Sequence, residues 1–250
     1  MSTDAGRLRI ELEWRTTLFV LVLVPVMTGL GFWQLQRAEE KRELAEGFAA
    51  REVQAPTALD ELWETDADAL AYLPVRVDGA FVPGADLLLD NRTRGGRFGY
   101  EALGVVALDE GGYALVNRGW IAGDAARREL PEVPEVSGKV SLTGHIYVPP
   151  GDPYLLAEQQ FEKGWPLVMQ AIEMDKLRPV LAGRLSGEVF PYSVRLDADA
   201  PGALAVEWQV INVSPQKHLG YAVQWFTMAG VLFLFFVFRS TNLWQWLKRR

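Results

Sequence analysis

The sequence contains no cysteine and only two histidines, His145 and His218. Without cysteine, the chain cannot form disulfide bonds, thiolate zinc sites, iron–sulfur clusters or a cysteine nucleophile. Walker, H-E-x-x-H and dinucleotide-binding motifs are also missing, so the common phosphate- and zinc-dependent activities have no signature here. We therefore expect no metal site and no catalytic residue.

Charged residues are absent from two long apolar runs, residues 16–35 and 219–238. A helix of about twenty residues rises ~30 Å, which is the thickness of the hydrocarbon core of a bilayer. Leu, Val and Phe dominate both runs, and each such residue favours insertion by roughly 0.3–0.6 kcal/mol. We expect transmembrane helices at residues 16–35 and 218–238.

Each run has an alternative interpretation. Residues 29–31 (Gly-Leu-Gly) offer a small-x-small cleavage site, as in a signal peptide, but the residues before the first run are not basic overall. The second run could be a buried helix of a soluble domain, but it is apolar all round, which favours lipid. A retained anchor at each end is the better interpretation.

The net charge of −7 is unevenly distributed. The segment before the first run is neutral and the segment after the second carries four bases, so the middle of the chain carries −11. Such an acidic surface repels phosphate backbones, so nucleic acid is not an expected partner. Basic clients or the faces of a membrane complex remain open as partners.

Lys and Arg residues also indicate how the chain is oriented. The two tails carry seven of them, against five in the nearby parts of the middle segment. Since short cytoplasmic segments are richer in Lys and Arg, we expect cytoplasmic tails at residues 1–15 and 239–250. Residues 36–217 then form a periplasmic domain, and the protein is a multi-pass protein of the cell inner membrane.

The middle segment has the pattern of a mainly antiparallel β (α+β) domain. It opens with a polar helical stretch at residues 36–51, which continues the first span, and a short helix at 58–63. Glu110, Gly111 and Gly112 predict a hairpin turn, residues 131–137 an exposed connection, and residues 170–181 a helix. Alternating apolar residues and turn signals predict strands at residues 73–81, 86–91, 100–108, 113–120, 140–147, 190–196 and 204–213.

A string of distinctive residues follows the first apolar run: Trp33, Gln34, Arg37 and Lys41. Gln34, Arg37 and Lys41 are spaced to share one helix face, and Trp33 suits the membrane interface. That face could hold lipid phosphates, haem propionates or acids of the middle domain. Simple anchoring by an interfacial Trp and basic residues explains the same string.

A second string, Asn117, Arg118, Gly119 and Trp120, ends a predicted strand. Gly119 is expected to take a positive φ and Trp120 to return to the core, which makes this a structural turn. Asn117 and Arg118 could in addition bind a carboxylate or a peptide. The Arg-rich loop at residues 91–97 is expected to be a solvated turn.

His218 is the strongest candidate for a ligand-binding residue. It begins the second apolar run, and an imidazole at a membrane edge costs desolvation unless it is paired or liganded. Ala222, Trp225 and Ala229 share its helix face and could leave a slot for a flat macrocycle; a merely solvated His is the alternative. His145 lies in a predicted strand, where a Ser-His-Asp triad would need a nucleophile context that the sequence lacks.

Taken together, these strings resemble the Surfeit locus protein 1 family. They are G-x-W-Q-L-x-R-x-x-x-K at residues 31–41, Gly79-x-Phe81, Gly99-Tyr100, V-N-R-G-W at 116–120 and H-L-x-Y-A-x-Q-W-F at 218–226. The resemblance covers nearly the whole chain in the same order. One departure is residues 121–123, Ile-Ala-Gly, where family members commonly have a Pro.

The resemblance implies a non-enzymatic membrane factor that supports cytochrome c oxidase biogenesis. Its partners would be oxidase subunit I, haem a synthase and membrane lipid, and its cofactor or cargo would be haem a, contacted by His218 and flanked by Gln224 and Trp225. A scaffold that docks on oxidase subunits without haem is the alternative. An anchored periplasmic hydrolase that uses His145 is a more remote one.

Overall fold

The computed structural model describes residues 10–149, 151, 153, 155, 158–161, 164–208 and 214–242. The chain divides into two compact units, Met1–Gly47 with Val210–Arg250, and Phe48–Gln209. We call them the helical unit and the barrel unit. The predicted tails were residues 1–15 and 239–250, and of these residues 1–9 and 243–250 lie outside the described residues.

Two helices supply most of the helical unit. Helix α1 runs from Trp14–Glu52 and helix α4 from Pro215–Ser240. The polar continuation predicted at residues 36–51 is therefore part of α1, which continues through Pro25 without a break. Both helices are long and apolar enough to cross a bilayer, and only 11% of each apolar window is buried, whereas the core helix of a soluble protein would be mostly buried.

The two helices run antiparallel to each other. At one end Ile10 forms a bridge with Thr241, and the amide of Glu11 donates to the carbonyl of Ser240 over 2.8 Å. At the other end the side chains of Gln34 and His218 are hydrogen bonded. The start of α1 therefore lies next to the end of α4, and Gln34 further along α1 lies next to the first turn of α4. The two ends of the chain form an antiparallel pair of helices.

A mixed β-sheet forms the barrel unit. Strand β2 pairs with β3, β3 with β4, β4 with β7, β7 with β5, and β5 returns to β2, so the sheet closes on itself. The short strands β1 and β6 add to β2. The strands are β1 Thr57–Ala58, β2 Pro74–Arg94, β3 Arg97–Leu108, β4 Tyr113–Ala122, β5 Lys139–Tyr147, β6 Leu167–Met169 and β7 Val189–Leu196.

The sequence-based strands are confirmed for most of this sheet, with three corrections. Residues 73–81 and 86–91 belong to one long strand, β2, which keeps its pairing with β3 across a register shift between Phe81 and Asp86. Residues 204–208 form no strand; Ala205 makes only an isolated bridge with Trp120, and residues 209–213 lie outside the described part. The three-residue strand β6 was not predicted.

The helices of the barrel unit are short. The short helix expected at residues 58–63 is confirmed as a 3-10 helix, Leu59–Leu62, whereas α2, Ala67–Leu70, was not predicted. Helix α3 runs from Met174–Ala182, inside the expected 170–181 region apart from its last residue. The predicted hairpin turn is confirmed, since Gly111 and Gly112 both have positive φ, at 107° and 77°.

Pairing within the sheet is antiparallel except at β1, β6 and the β4–β7 contact, which are parallel. The long ladders β2–β3, β3–β4 and β2–β5 are antiparallel, so the expected α+β fold is confirmed with a mixed rather than uniform sheet. The parallel contact arises because β7 inserts between β4 and β5. That insertion is what allows the sheet to close.

Two hydrophobic clusters stabilise the barrel unit. The inner cluster contains Val75, Val116, Ile146 and Val194, which are fully buried, from four different strands. The outer cluster packs Leu177 and Leu181 of α3 against the other side of the sheet. At roughly 1.5–3 kcal/mol for each large side chain, burial on both faces supplies the main stabilisation of this unit.

Candidate functional site

A hydrogen bond joins the two helices of the helical unit. The Nδ1 atom of His218, in the first turn of α4, lies 2.7 Å from the Oε1 atom of Gln34 in α1. Both side chains are half-buried. The sequence singled out both residues separately, and the structure brings them together.

This contact indicates the tautomer of the neutral imidazole. An amide oxygen accepts hydrogen bonds only, so Nδ1 of His218 donates and carries the proton. In the neutral ring Nε2 is then unprotonated and keeps its lone pair. Iron-binding histidines are commonly held in this way, with the ring nitrogen that does not bind the metal donating to a carbonyl or carboxylate.

Small residues lie where the two helices meet. A Cβ placed on Gly31 would lie 2.6 Å from the ring of Phe226, and Phe32 contacts the same ring edge-on at 5.2 Å between centroids. Ala222 and Ala229, at 1% and 5% exposure, are the buried alanines of α4. This pattern of Gly and Ala at a close crossing is typical of helix packing in membranes.

Two residues of the predicted haem site differ in position. Trp225 is seven residues from His218, which places it on the same face of α4, and it is half-buried. Gln224 is exposed, and six residues at 100° each place it about 120° around the helix from His218. The predicted contact of Gln224 with haem stays a prediction, and the structure places Gln224 on a different face of α4 from His218.

The remaining residues of the first string have mixed environments. Trp33 is 49% exposed, as an interfacial anchor would be. Arg37 contacts Glu40 over 2.9 Å, yet its Nε atom is buried with no hydrogen-bond partner among the described residues. Lys41 is half-buried two turns beyond Gln34, so Gln34 and Lys41 share a face as predicted.

The second string, in the barrel unit, forms a structural turn. Asn117 is 1% exposed; its Nδ2 donates to Glu101 over 2.7 Å, and its Oδ1 accepts from the amide of Gly119 over 3.1 Å. Gly119 has a φ of 108°, as predicted. Trp120 is half-buried and its Nε1 donates to the carbonyl of Arg92 over 3.0 Å.

Arg118 is committed to internal contacts. It is 3% exposed, its Nε donates to the carbonyl of Gly202 over 2.8 Å, and its guanidinium stacks on Phe81 at 5.3 Å. Burial lowers the pKa of Arg118, and the nearby Asp86 opposes that shift. Asn117 and Arg118 both make their hydrogen bonds within the barrel unit. The string is therefore explained as a turn that stabilises the fold, rather than as a peptide-binding site.

His145 lies in β5 of the barrel unit. Its Nδ1 lies 3.2 Å from a carboxylate oxygen of Asp197, and Phe48 packs against its ring at 5.8 Å. Its Nε2 makes no hydrogen bond with any described residue. Ser193 is diagonal to it across β5 and β7, but no bond joins the two, so the structure does not assemble a Ser-His-Asp triad here.

Sequence reasoning missed the surroundings of His145. Tyr147, Ser193 and Arg195 cluster beside it on the outer face of β5 and β7. The only signal was the alternation of polar residues in an apolar strand, which is equally typical of a solvated face.

The architecture is that of an α+β barrel domain inserted between two apolar helices, with a helix-to-helix His–Gln contact. A family model, described as the SURF1 family, matches residues 21–230. The chain belongs to the SURF1 family. The matched region includes the whole barrel unit and the greater part of both helices, so the resemblance inferred from the short strings is confirmed.

Individual relatives agree with this assignment. A SURF1-like protein of Monosiga brevicollis is 25% identical over 236 residues, covering 88% of this chain and 86% of that protein. A SURF1-like protein of Rickettsia felis is 32% identical over 110 residues, covering 43% of this chain and 47% of that protein. The human Surfeit locus protein 1 is 30% identical over 154 residues, covering 54% of this chain and 49% of that protein. The chain thus matches about half the length of the last two.

Proposed function

We propose that this protein is a membrane-anchored, non-enzymatic assembly factor for a haem-copper cytochrome c oxidase, and that it assists the insertion of haem a into subunit I. Its membership of the SURF1 family supports the role in oxidase assembly. The contact between His218 and Gln34 is the observation that supports a role in handling haem. Haem a synthase, which would supply the haem, is a second proposed partner.

Anchoring in the membrane is supported by the surface of the helical unit. Its outward-facing side chains are large and apolar, and they are exposed in the isolated chain. Lipid would cover them at a gain of about 25 cal/mol for each Å² of apolar surface removed from water. They include Leu18, Phe19, Leu21, Val22, Val231, Phe233, Leu234 and Phe235.

The charge pattern supports the orientation that we propose. The tails are richer in Lys and Arg than the flanks of the middle segment, which favours cytoplasmic tails, a periplasmic barrel unit and location in the inner membrane. The basic residues Arg37 and Lys41 then lie in α1 just beyond the periplasmic end of the predicted span 16–35, within reach of lipid headgroups.

The residues of the helical unit fit a haem in two respects. His218 has its Nδ1 held by Gln34, which leaves Nε2 for the iron, and Trp225 on the same face offers an aromatic surface to the macrocycle. The buried Nε of Arg37 lacks a partner among the described residues and suits a propionate. Bound haem would supply the redox-active iron that the oxidase later uses; this chain holds and orients it.

The test is the haem content of protein purified from cells that make haem a. We expect a Soret band in the parent protein, its loss in His218→Ala, and about 10–100-fold weaker haem binding in Gln34→Ala, because the second residue only orients the first. His145→Ala is the matched control, since it removes the other histidine of the chain, and should keep the pigment. An unchanged Soret band in His218→Ala would remove His218 as the ligand.

A haem-independent scaffold is the second candidate function. The charge of −11 on the middle of the chain favours docking on basic faces of oxidase subunits, and such docking needs no pigment. A pull-down from membranes separates the two. Co-purification of subunit I with equal yield from the parent and from His218→Ala, without stoichiometric haem, would favour the scaffold.

A further inference from the structure

Four side chains form a compact square on the outer face of the barrel, at β5 and β7. Across the antiparallel ladder Ser193 is opposite Tyr147, and Arg195 is opposite His145. The intervening Val194 belongs to the inner hydrophobic cluster. Since alternate residues of a strand point to opposite faces, the four side chains project outward, and opposite pairs have Cβ atoms about 4.5–5.5 Å apart.

The square contains polar atoms that pair with none of the residues that the structure describes. The hydroxyl of Ser193, which is 1% exposed, the Nε of Arg195 and the Nε2 of His145 are buried without a hydrogen-bond partner among the described residues. A buried polar group without a partner lowers the stability of the fold. Three such groups at neighbouring positions indicate a polar site whose hydrogen bonds the described residues do not complete.

The rings of Tyr147 and Trp208 pack against Arg195, and the charge of Glu101 acts on it without an ion pair. Its guanidinium carbon lies 3.6 Å from the ring centroid of Tyr147 and 5.1 Å from that of Trp208. Trp208 is itself fixed, because its Nε1 donates to the carbonyl of Leu196 over 2.7 Å. Burial lowers the pKa of Arg195, and no carboxylate of the described residues forms an ion pair with it, whereas Asp197 lies against His145.

We propose that this square is a binding site for a small monocarboxylate, held by the guanidinium of Arg195 and the hydroxyl of Ser193 and flanked by the rings of Tyr147 and Trp208. A stacked guanidinium offers its edge, and a flat carboxylate meets that edge with two parallel hydrogen bonds. One positive charge matches one negative charge, whereas a phosphate dianion would be only half compensated. The proposal is independent of the proposed role in oxidase assembly.

The experiment uses the full chain in detergent micelles, with sodium propionate as the probe and sodium chloride at equal ionic strength as the reference. A ligand that binds only the folded state raises the unfolding temperature as its concentration rises. We expect the unfolding temperature to rise with the logarithm of the propionate concentration above the Kd, and the Kd fitted to that rise to be at least tenfold weaker in Arg195→Gln. Arg76→Gln is the matched control, because Arg76 is exposed and ion-paired to Asp78 over 2.8 Å, and should bind as the parent does.

Ser193→Ala separates a binding role from a structural one. Removing an unpaired buried hydroxyl should raise the unfolding temperature of the ligand-free protein, while propionate affinity falls about three- to tenfold. A purely structural serine would give a lower unfolding temperature and unchanged affinity. The proposal is wrong if propionate does not raise the unfolding temperature above that in sodium chloride, if inorganic phosphate binds as tightly as propionate, or if Ser193→Ala leaves the affinity unchanged. The Ser193→Ala variant decides the matter even if Arg195→Gln does not fold.

Discussion

Gly79 offers the sharpest test of how the barrel closes. It lies in β2, where that strand pairs with Leu108 of β3 on one side and Val140 of β5 on the other. A Cβ added to Gly79 would overlap the carbonyl oxygen of Ala107 and lie 3.0 Å from Val106 Cγ1. The oxygen belongs to the backbone of a paired strand and cannot turn away, so Gly79→Ala must push β2 and β3 apart.

The cost follows from what that movement breaks. Losing one or two ladder hydrogen bonds costs about 1 kcal/mol each, and overpacking adds about 1–3 kcal/mol. The lower chain entropy of unfolded Ala returns about 0.4–1 kcal/mol. The net loss is about 2–3 kcal/mol, which for a domain of this size lowers the unfolding temperature by roughly 5–10 °C.

The assay is thermal unfolding of the full chain in detergent, followed by the near-ultraviolet circular dichroism of the barrel unit. Gly47→Ala is the control, since a Cβ there meets nothing within 4 Å and Ala is the better helix former by about 1 kcal/mol. An unfolding temperature for Gly79→Ala equal to or above that of the parent would refute the close approach of β2 and β3.

Three further predictions use the same assay. Asn117→Ala removes a buried side chain that bonds both Glu101 and the amide of Gly119, and should cost about 2–3 kcal/mol. Burial raises the pKa of Asp60, and neighbouring carboxylates raise it further. The stabilising contribution of Asp60 is therefore present below the pKa of the unfolded state and is lost as pH rises through the pKa of the folded state. Asp60→Asn should stabilise the protein at pH 7 and not at pH 3. A hydrogen bond from Ser141 is the largest cause that lowers the pKa of Asp78. Asp78→Asn should therefore destabilise the protein at pH 7, and this effect should disappear as pH falls.

Glycines in the recognised strings have physical explanations that only the structure supplies. At Gly79 and Gly99 the missing side chain makes room for a carbonyl of the neighbouring strand, and at Gly99 also for the ring of Trp120. At Gly119 the reason is a positive φ, which the sequence predicted from turn chemistry. Close approach between strands depends on pairing, and pairing is not encoded in local periodicity.

Long-range topology was the part of the fold that the sequence could not supply. Alternation located most strands to within a few residues, but nothing in β7 indicates that it inserts between β4 and β5. Strand β6 is three residues long, too short for a period to appear. The square of side chains around Arg195 was also missed, because its members become neighbours only once β5 and β7 pair.

Helix geometry explains why the candidate haem site was only partly predicted. The string at residues 218–226 suggested that His218, Gln224 and Trp225 act together, but adjacent residues are 100° apart around a helix, and only Trp225 shares the face of His218. The partner that His218 does have, Gln34, is 184 residues away. Sequence could flag both residues as unusual in apolar surroundings without pairing them.

The pairing has a consequence for the interpretation of any His218 variant. In apolar surroundings an unpaired polar side chain is costly, so the bond to Gln34 contributes to the alignment of α1 and α4 as well as to the protonation of the imidazole. Loss of haem in His218→Ala could therefore reflect a lost ligand or a shifted helix. Gln34→Ala removes the same bond but keeps the imidazole, so residual haem binding in that variant, with none in His218→Ala, assigns the ligand to Nε2; equal and complete loss in both would instead assign the effect to helix alignment.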